Sequence, residues 1–459
     1  MKRGTHMQLK DRKVMVAGMA RSGVAMARYL LKKGCRVYAY DIRHKEDLGE
    51  AVRLLDGPGM VWVLGEDPMK VVPLVQTVFI SPGIPIGAPF LQLARRMGIP
   101  VVGEVELAYR LLDAPMAAVT GTNGKTTTTA LLGEMMRMSG RRTHVVGNIG
   151  TPIISVAETA GPEDVVVAEI SSFQMESVER FHPKAAAILN ITEDHLDRHG
   201  SMDVYIAAKA RIFENMGGGD VLVLNPDNAA AAALAPRANC RVRYFSRMKE
   251  TADGAFVRGG MLCLAAGGEV RPVIPAYDIA IPGAHNLENA LAAAVMAQSM
   301  GADDASIARA LRTFQGVEHR LEHAGEVRGV NFINDSKGTN CDASIKAVQA
   351  MERPTIILIG GYDKGSGFEP LFEAFTGHIA GVVALGDTKR RVIQDAAAAG
   401  FKNIAMADDF KDAVEKAFEM AKPGYNVLLS PASASFDMFT DYEQRGRVFK
   451  DIVRQMMRD

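Results

Sequence analysis

Residues 116–127 read Met116-Ala-Ala-Val-Thr-Gly121-Thr-Asn-Gly-Lys125-Thr-Thr127, an apolar run followed at once by a glycine loop and a polar helix start. Met116 to Val119 has the length and apolarity of a strand buried on both faces. The pattern after Gly124 is helical through about Met138. Strand, loop and helix in this order aim backbone N–H groups and the positive end of a helix dipole at one point, which suits a phosphate. Gly121 and Gly124 let the backbone approach phosphate oxygens, Lys125 reaches the terminal phosphates, and the Thr126 hydroxyl is a ligand for Mg²⁺. Thr122, Asn123 and Thr127 complete the loop. The usual leading glycine is replaced, since Val119-Thr120 stands there, so the loop is a shortened G-x-x-G-K-T form.

On either side of this stretch, short apolar runs alternate with helical patterns, which predicts an α/β fold with mainly parallel sheets. Upstream, Val14–Ala17, Val37–Tyr40, Val61–Leu64 and Val78–Ile80 read as strands, and Ser22–Lys33 as a helix ending at Gly34. Downstream, Val165–Ala168, Ala185–Leu189 and Val221–Leu224 continue a second sheet, and Gly283–Met300 reads as an alanine-rich buried helix. After Gly316 the alternation restarts, with strands near Val330–Ile333, Thr355–Ile359, Val382–Leu385 and Val427–Leu429. At roughly 150 residues per domain, 459 residues divide into three, set here at 1–103, 104–316 and 317–459. The first and third are expected to be Rossmann-like and the central one to be of the P-loop ATPase type.

Fifty-three basic and 53 acidic side chains cancel, so nothing global draws the chain to nucleic acid. No apolar run approaches the ~20 residues of a membrane span, and the basic N-terminus lacks the apolar core of a signal peptide. Cys35, Cys240, Cys263 and Cys341 are scattered without metal-ligand spacing. These features lead us to expect a cytoplasmic monomer without disulfides, zinc or membrane insertion.

Other segments carry chemistry only in company. Glu169 ends a strand and Asn190-Ile-Thr-Glu-Asp-His195-Leu-Asp-Arg-His199 follows another; at the carboxyl edge of a sheet that holds a phosphate loop, both become candidates for Mg²⁺. Read alone, Lys209 on a helix Asp203–Glu214 is a solvated lysine, His285–Asn289 a helix cap and His319-Arg320 a linker. Asn334–Asn340, Gly360–Lys364 and Ser430–Asp437 are polar loops at strand ends of the third unit and point to an anionic ligand on one face. Gly18-Met-Ala20-Arg-Ser-Gly23, with Asp41 ending the next strand, resembles a dinucleotide fingerprint with alanine at its second glycine. It fits NAD or another nucleotide, and no hydride chemistry is visible elsewhere. An ATP-dependent enzyme and a nucleotide-gated binding protein both remain open on these residues alone.

Eight segments in order, Gly121–Thr128, Gly147–Pro152, Glu169–Gln174, Asn190–His199, Gly283–Ala293, His319–Glu322, Asn334–Asn340 and Leu429–Asp437, resemble the Mur ligase family of peptidoglycan amide-forming ligases. The resemblance implies an ATP-dependent ligase that activates a carboxylate as an acyl phosphate. It implies that Lys125 and Thr126 bind ATP phosphates and Mg²⁺, that Glu169, His195 and an N6-carboxylated Lys209 complete two Mg²⁺ sites, and that Asn289, Arg320 and Asp335 hold the adenine and ribose side. It further implies a UDP-N-acetylmuramoyl-L-alanine site at Ser22, Asp41, Arg43, Ser81, Pro82, Gly83, Asn148 and Ser171. The amino acid would sit at Thr339, Lys364, Ser435 and Phe436, and the HLDRH and LSPASASFD segments favour D-glutamate within the family. Closure about residues 313–320 is expected, because water must be kept from an acyl phosphate.

Overall fold

The computed structural model describes residues 9–363, 367–375 and 377–458. Its chain divides into two compact units, Met1–Phe314 and Gln315–Asp459. The first unit contains two sheets and the second unit one.

The first sheet comprises β1 (Lys13–Ala17), β2 (Arg36–Asp41), β3 (Met60–Leu64), β4 (Thr77–Ile80) and β5 (Val101–Gly103), all parallel, in the order β3-β2-β1-β4-β5. The order reverses direction between β1 and β4, and ligands of open α/β sheets bind beyond the strand ends at such a point. The second sheet runs β14-β13-β12-β11-β10-β9-β6-β8-β7. Its parallel strands are β6 (Met116–Thr120), β7 (Thr143–Gly147), β8 (Val165–Glu169), β9 (Ala185–Ile188), β10 (Val221–Leu224), β11 (Arg241–Ser246) and β12 (Gly254–Arg258), with β13 (Met261–Ala266) and β14 (Glu269–Pro275) antiparallel. Every residue of β6, β8 and β9 is buried, as unbroken apolar runs require when helices cover both faces.

The second unit holds β15 (Glu322–Val327), β16 (Val330–Asn334), β17 (Thr355–Gly360), β18 (Ile379–Leu385), β19 (Ile404–Met406) and β20 (Asn426–Leu429), in the order β15-β16-β20-β17-β18-β19. Only the edge strand β15 is antiparallel. The α/β class therefore stands, while β13, β14 and β15 qualify the expectation of parallel pairing. Two glycine pairs explain the hairpins: Gly259-Gly260 and Gly267-Gly268 all have positive φ, from 56° to 84°. Mirror-image two-residue turns need that backbone conformation, and they match the twist of paired strands.

Most strands fall within a residue or two of the apolar runs that predict them, although β18 starts at Ile379. The helix expected over Asp203–Glu214 is Met202–Ala210, followed by a 3₁₀ turn at Arg211–Phe213. Among the described residues, no helix is long and apolar enough to cross a membrane.

Candidate active site

The phosphate loop leaves β6 and enters the helix Lys125–Met138 through Gly124, whose φ of +82° is left-handed. A Cβ at Gly124 would lie 2.2 Å from Asn289 Oδ1, so both the conformation and the neighbour require glycine. Asn289 is thus buried against the loop itself, not a surface cap, and its Oδ1 also accepts from Thr128 Oγ1 (3.3 Å). Lys125 Nζ curls back to donate to the carbonyls of Gly121 (2.9 Å) and Thr122 (2.8 Å). Both bonds fold the lysine side chain back onto the backbone of its own loop. Thr126 and Thr127 are both buried in the first helical turn.

Asn190, just after β9, opens the segment read from sequence as a candidate for Mg²⁺, but it had no role of its own there. Its Oδ1 accepts from Asn123 N–H (2.8 Å) and its Nδ2 donates to Asn123 O (3.2 Å), clamping the loop's middle residue. An asparagine just beyond a strand that neighbours the loop-bearing strand was the available signal. Thr122 is fixed as well: its Oγ1 accepts from Thr192 N–H (3.0 Å) and lies 3.2 Å from the Tyr205 hydroxyl.

Lys209 overturns the reading of a solvated helix lysine. It is 1% exposed, Nζ donates to Gly121 O (2.8 Å), and the ammonium stands 4.5 Å from the Tyr205 ring centre. Burial pushes its pKa well below the ordinary lysine range, and the neighbouring Lys125 charge pushes the same way. Glu169, at the end of β8, is equally buried: Oε1 accepts from Asn148 Nδ2 (2.7 Å), whereas Oε2 has no hydrogen-bond partner. An orphaned carboxylate oxygen beside a phosphate loop fits a hard cation. His195 is half exposed, adopts a left-handed φ of 53°, and meets the Phe173 ring edge-on at 4.8 Å. Among the described residues, no three His, Cys, Asp or Glu side chains gather into a metal-holding group. Glu169 and His195 are therefore not joined by a third such ligand.

A cavity of about 450 Å³ opens beyond the ends of β1 and β4. Ser22, Asp41, Ser81, Pro82 and Gly83 line it from the first sheet, and Asn148 and Gln174 from the second. Asp41 is held rigidly, with Oδ2 accepting from Met19 N–H (2.7 Å) and both oxygens taking the Arg43 guanidinium (3.0 Å). Burial opposes ionisation of Asp41, but the hydrogen bonds from Arg43 and Met19 outweigh it and hold the carboxyl below its ordinary range. Ser81 Oγ donates to Gly18 O (2.6 Å), joining the two loops that form the cavity floor. Ser171 caps the helix Ser172–Met175 in a reciprocal capping box with Gln174, and Gln174 rather than Ser171 lines the cavity.

In the second unit, Asp335 directly follows β16 and opens the turn closed by Gly338 N–H on its carbonyl (2.8 Å). It is fully buried, Oδ2 accepts from Ser430 Oγ (2.7 Å) and Oδ1 from Leu321 N–H (3.3 Å). Burial pushes its carboxyl up to about 6, against the opposing pull of Arg320 and Ser430. His319, read as linker, is buried between Asn334 Nδ2 (3.0 Å) and the Tyr442 ring (6.3 Å). Arg445, unremarked in the sequence, is completely buried; Nε donates to Ser336 Oγ (2.9 Å), Nη2 to Ser336 O (2.7 Å) and Nη1 to Ser433 O (3.1 Å). One guanidinium thus ties the loop bearing Thr339 to the loop bearing Ser435. Ser435 is buried, and Phe436 is exposed with its ring against Tyr362 (6.1 Å). Lys364 lies outside the described residues.

Comparison with known proteins agrees along the whole length. Family models match residues 12–103 as the MurD-like N-terminal domain of Mur ligases, 119–297 as the Mur ligase middle domain and 319–433 as the Mur ligase glutamate ligase domain. A UDP-N-acetylmuramoylalanine–D-glutamate ligase of Caldanaerobacter subterraneus subsp. tengcongensis is 46% identical over 98% of this chain and 100% of its own. The ligase of the same name from Pelotomaculum thermopropionicum is 47% identical over 97% and 98%. Among solved structures, the UDP-N-acetylmuramate–alanine ligase of Thermotoga maritima shares the fold at a TM-score of 0.63 and 19% identity, covering 97% of this chain and 99% of its own.

Proposed function

The chain belongs to the Mur ligase family, and from that premise we propose that it joins D-glutamate to UDP-N-acetylmuramoyl-L-alanine at the expense of ATP, in peptidoglycan precursor synthesis. The observation carrying this reading is that relatives named for that reaction align end to end with the chain at 46–47% identity. We assign residues 1–103 to the UDP-substrate, 104–316 to ATP and 317–459 to the amino acid.

The proposed chemistry proceeds in two balanced steps. A carboxylate oxygen of the L-alanyl group attacks the γ-phosphorus of ATP, the bond to ADP breaks, and an acyl phosphate forms. The amine of D-glutamate then attacks the acyl carbon, the carbon–oxygen bond to phosphate breaks, and the nitrogen loses a proton. Positioning and neutralisation of charge dominate such transfers. Lys125 exchanges its two carbonyl partners for the β- and γ-phosphates, in a loop whose shape Asn190 holds by accepting from the Thr122 and Asn123 N–H groups. The loop residues Gly121, Thr122, Asn123, Gly124 and Thr127, with Asn289 beside them, form the rest of this assignment.

Mg²⁺ in two sites, when bound, screens repulsion between carboxylate and γ-phosphate. Thr126, Glu169, His195 and Lys209 are the residues we assign to hold it, supported by the unpartnered Glu169 Oε2. Lys209 would join them as a carbamate: its neutral amine adds to the carbon of CO₂, a nitrogen–carbon bond forms as one carbon–oxygen π bond breaks onto oxygen, and the nitrogen loses a proton. Burial of the amine supports this, since it favours the neutral nucleophile. The cavity lined by Ser22, Asp41, Ser81, Pro82, Gly83 and Asn148 is assigned to the UDP-muramoyl part, with Arg43 acting on it through Asp41 and Ser171 through its capping box with Gln174. In the second unit, Arg320 and Asp335 are assigned to the nucleoside of ATP, and Thr339, Lys364, Ser435 and Phe436 to D-glutamate. The reading also makes the protein a cytoplasmic monomer acting on small molecules.

The test is ADP release with ATP, Mg²⁺ and UDP-N-acetylmuramoyl-L-alanine, comparing D-glutamate with L-glutamate, lysine, diaminopimelate and no amino acid. Turnover with D-glutamate alone is expected. Turnover with another acceptor would move the error to the second unit, and silence in every mixture would contradict the assignment.

A further inference from the structure

Arg198 has no part in the chemistry above, yet its guanidinium is engaged on three sides within the first unit. Nη2 donates to Ile84 O (3.0 Å) and more weakly to Pro82 O (3.4 Å), and Nη1 donates to Gly83 O (3.4 Å). Three successive carbonyls of one turn therefore converge on one planar fork, and that turn walls the 450 Å³ cavity. Glu176 holds the fork from the other edge, Oε2 accepting from Nη2 (2.7 Å) and Oε1 from Nε (3.4 Å). The pair is largely buried, at 17% and 13% exposure, so neither water nor salt competes effectively for it. On its third side the guanidinium lies 5.0 Å from the centre of the Phe173 ring, and the same ring meets His195 edge-on at 4.8 Å.

An unbroken chain of contacts thus runs from the Pro82–Ile84 carbonyls through Arg198 and Phe173 to His195. His195 holds a left-handed backbone conformation, which is uncommon outside glycine. A ligand pressing on the turn would act on the guanidinium, and through the Phe173 ring beside it on the imidazole. Building on the proposed function, we infer that Arg198 is a positioning residue that couples occupancy of the UDP-substrate cavity to placement of His195, so that UDP-substrate and magnesium nucleotide bind with positive cooperativity.

Calorimetry on the full chain tests this, by titrating a non-hydrolysable ATP analogue with Mg²⁺ in the presence and absence of saturating UDP-N-acetylmuramoyl-L-alanine. Wild type is expected to bind the nucleotide about 10-fold more tightly with the cavity filled, an ordinary size for coupled sites. Arg198→Lys keeps the charge but loses the fork, so affinity for the UDP-substrate falls and the ratio drops below about 2-fold. Phe173→Leu leaves every hydrogen bond of Arg198 in place; it should retain UDP-substrate affinity and still lose the ratio, a split that a merely structural arginine does not predict. Should Arg198→Lys fail to fold, Phe173→Leu decides alone. Retention of the ratio in Phe173→Leu, or its absence from wild type that binds both ligands, overturns the inference by itself. Wild type that binds no UDP-substrate overturns the proposed function and this inference together.

Discussion

Replacing Glu104 by glutamine should change how the first unit responds to pH. Glu104 opens the helix Glu104–Leu111, is 1% exposed, and accepts from Ile154 N–H at Oε1 (2.8 Å), while Oε2 is buried without a partner. Burial pushes its carboxyl from 4.5 up to about 7, the backbone donors at Ile154 and Ile153 pulling the other way. The sign follows from linkage: a carboxyl whose pKa is raised by folding favours the fold below its unfolded value, and that advantage is lost as pH rises through the folded value. At pH 8 the ionised group costs roughly 3 kcal/mol, and at pH 5 less than about 1 kcal/mol. Glutamine keeps the acceptor for Ile154 but does not ionise. Its buried amide adds a penalty of about 1–3 kcal/mol, the same at every pH. The offset between variant and wild type is therefore less informative than its slope: between pH 5 and pH 8 wild type should lose about 2 kcal/mol relative to Glu104→Gln. The single tryptophan, Trp62 in β3, reports urea unfolding of this unit by fluorescence. Parallel stability curves for the two proteins across that range would refute the reasoning.

Three further substitutions address the phosphate loop and its neighbours. Lys125→Ala should reduce turnover on the order of a hundredfold or more while leaving the melting profile unchanged, because it removes transition-state charge from the loop; steady-state kinetics and thermal melting check both halves. Lys209→Ala should be inactive and partly restored by millimolar short carboxylic acids, which fill the space of a carbamate; an absence of rescue would leave the modification unsupported. Asn190→Ala frees Asn123 on both its N–H and C=O, and should raise the KM for ATP about 10-fold, equivalent to ~1.4 kcal/mol, without altering that for the UDP-substrate.

The phosphate loop was legible because its information is local: strand, glycines, lysine and threonines are consecutive, and backbone geometry does the rest. The polar loops at strand ends were legible for a similar reason, since sheet topology gathers them on one edge. Lys209 was not, because what buries it is non-local. Its partner, the Gly121 carbonyl, lies 88 residues away, and its own helix shows no sharp apolar face. Asn289 and His319 were misread as surface groups for the same reason: each is buried by a segment that meets it only in the folded chain. Arg445 is the extreme case, an arginine in the first turn of a terminal helix whose partners are serines far off in sequence or across a loop. The β12–β14 hairpins differ in kind. Their signal was present in the sequence as two glycine pairs, Gly259-Gly260 and Gly267-Gly268, bounding the short apolar run of β13.

Transfer of oxygen from the substrate carboxylate to phosphate tests the central claim most directly. UDP-N-acetylmuramoyl-L-alanine labelled with ¹⁸O in the alanyl carboxylate is incubated with ATP, Mg²⁺ and D-glutamate, and the released inorganic phosphate is weighed by mass spectrometry. Activation as an acyl phosphate predicts one ¹⁸O in each phosphate formed. Unlabelled phosphate would mean that ATP is cleaved by water, contradicting the assignment of this site to carboxylate activation.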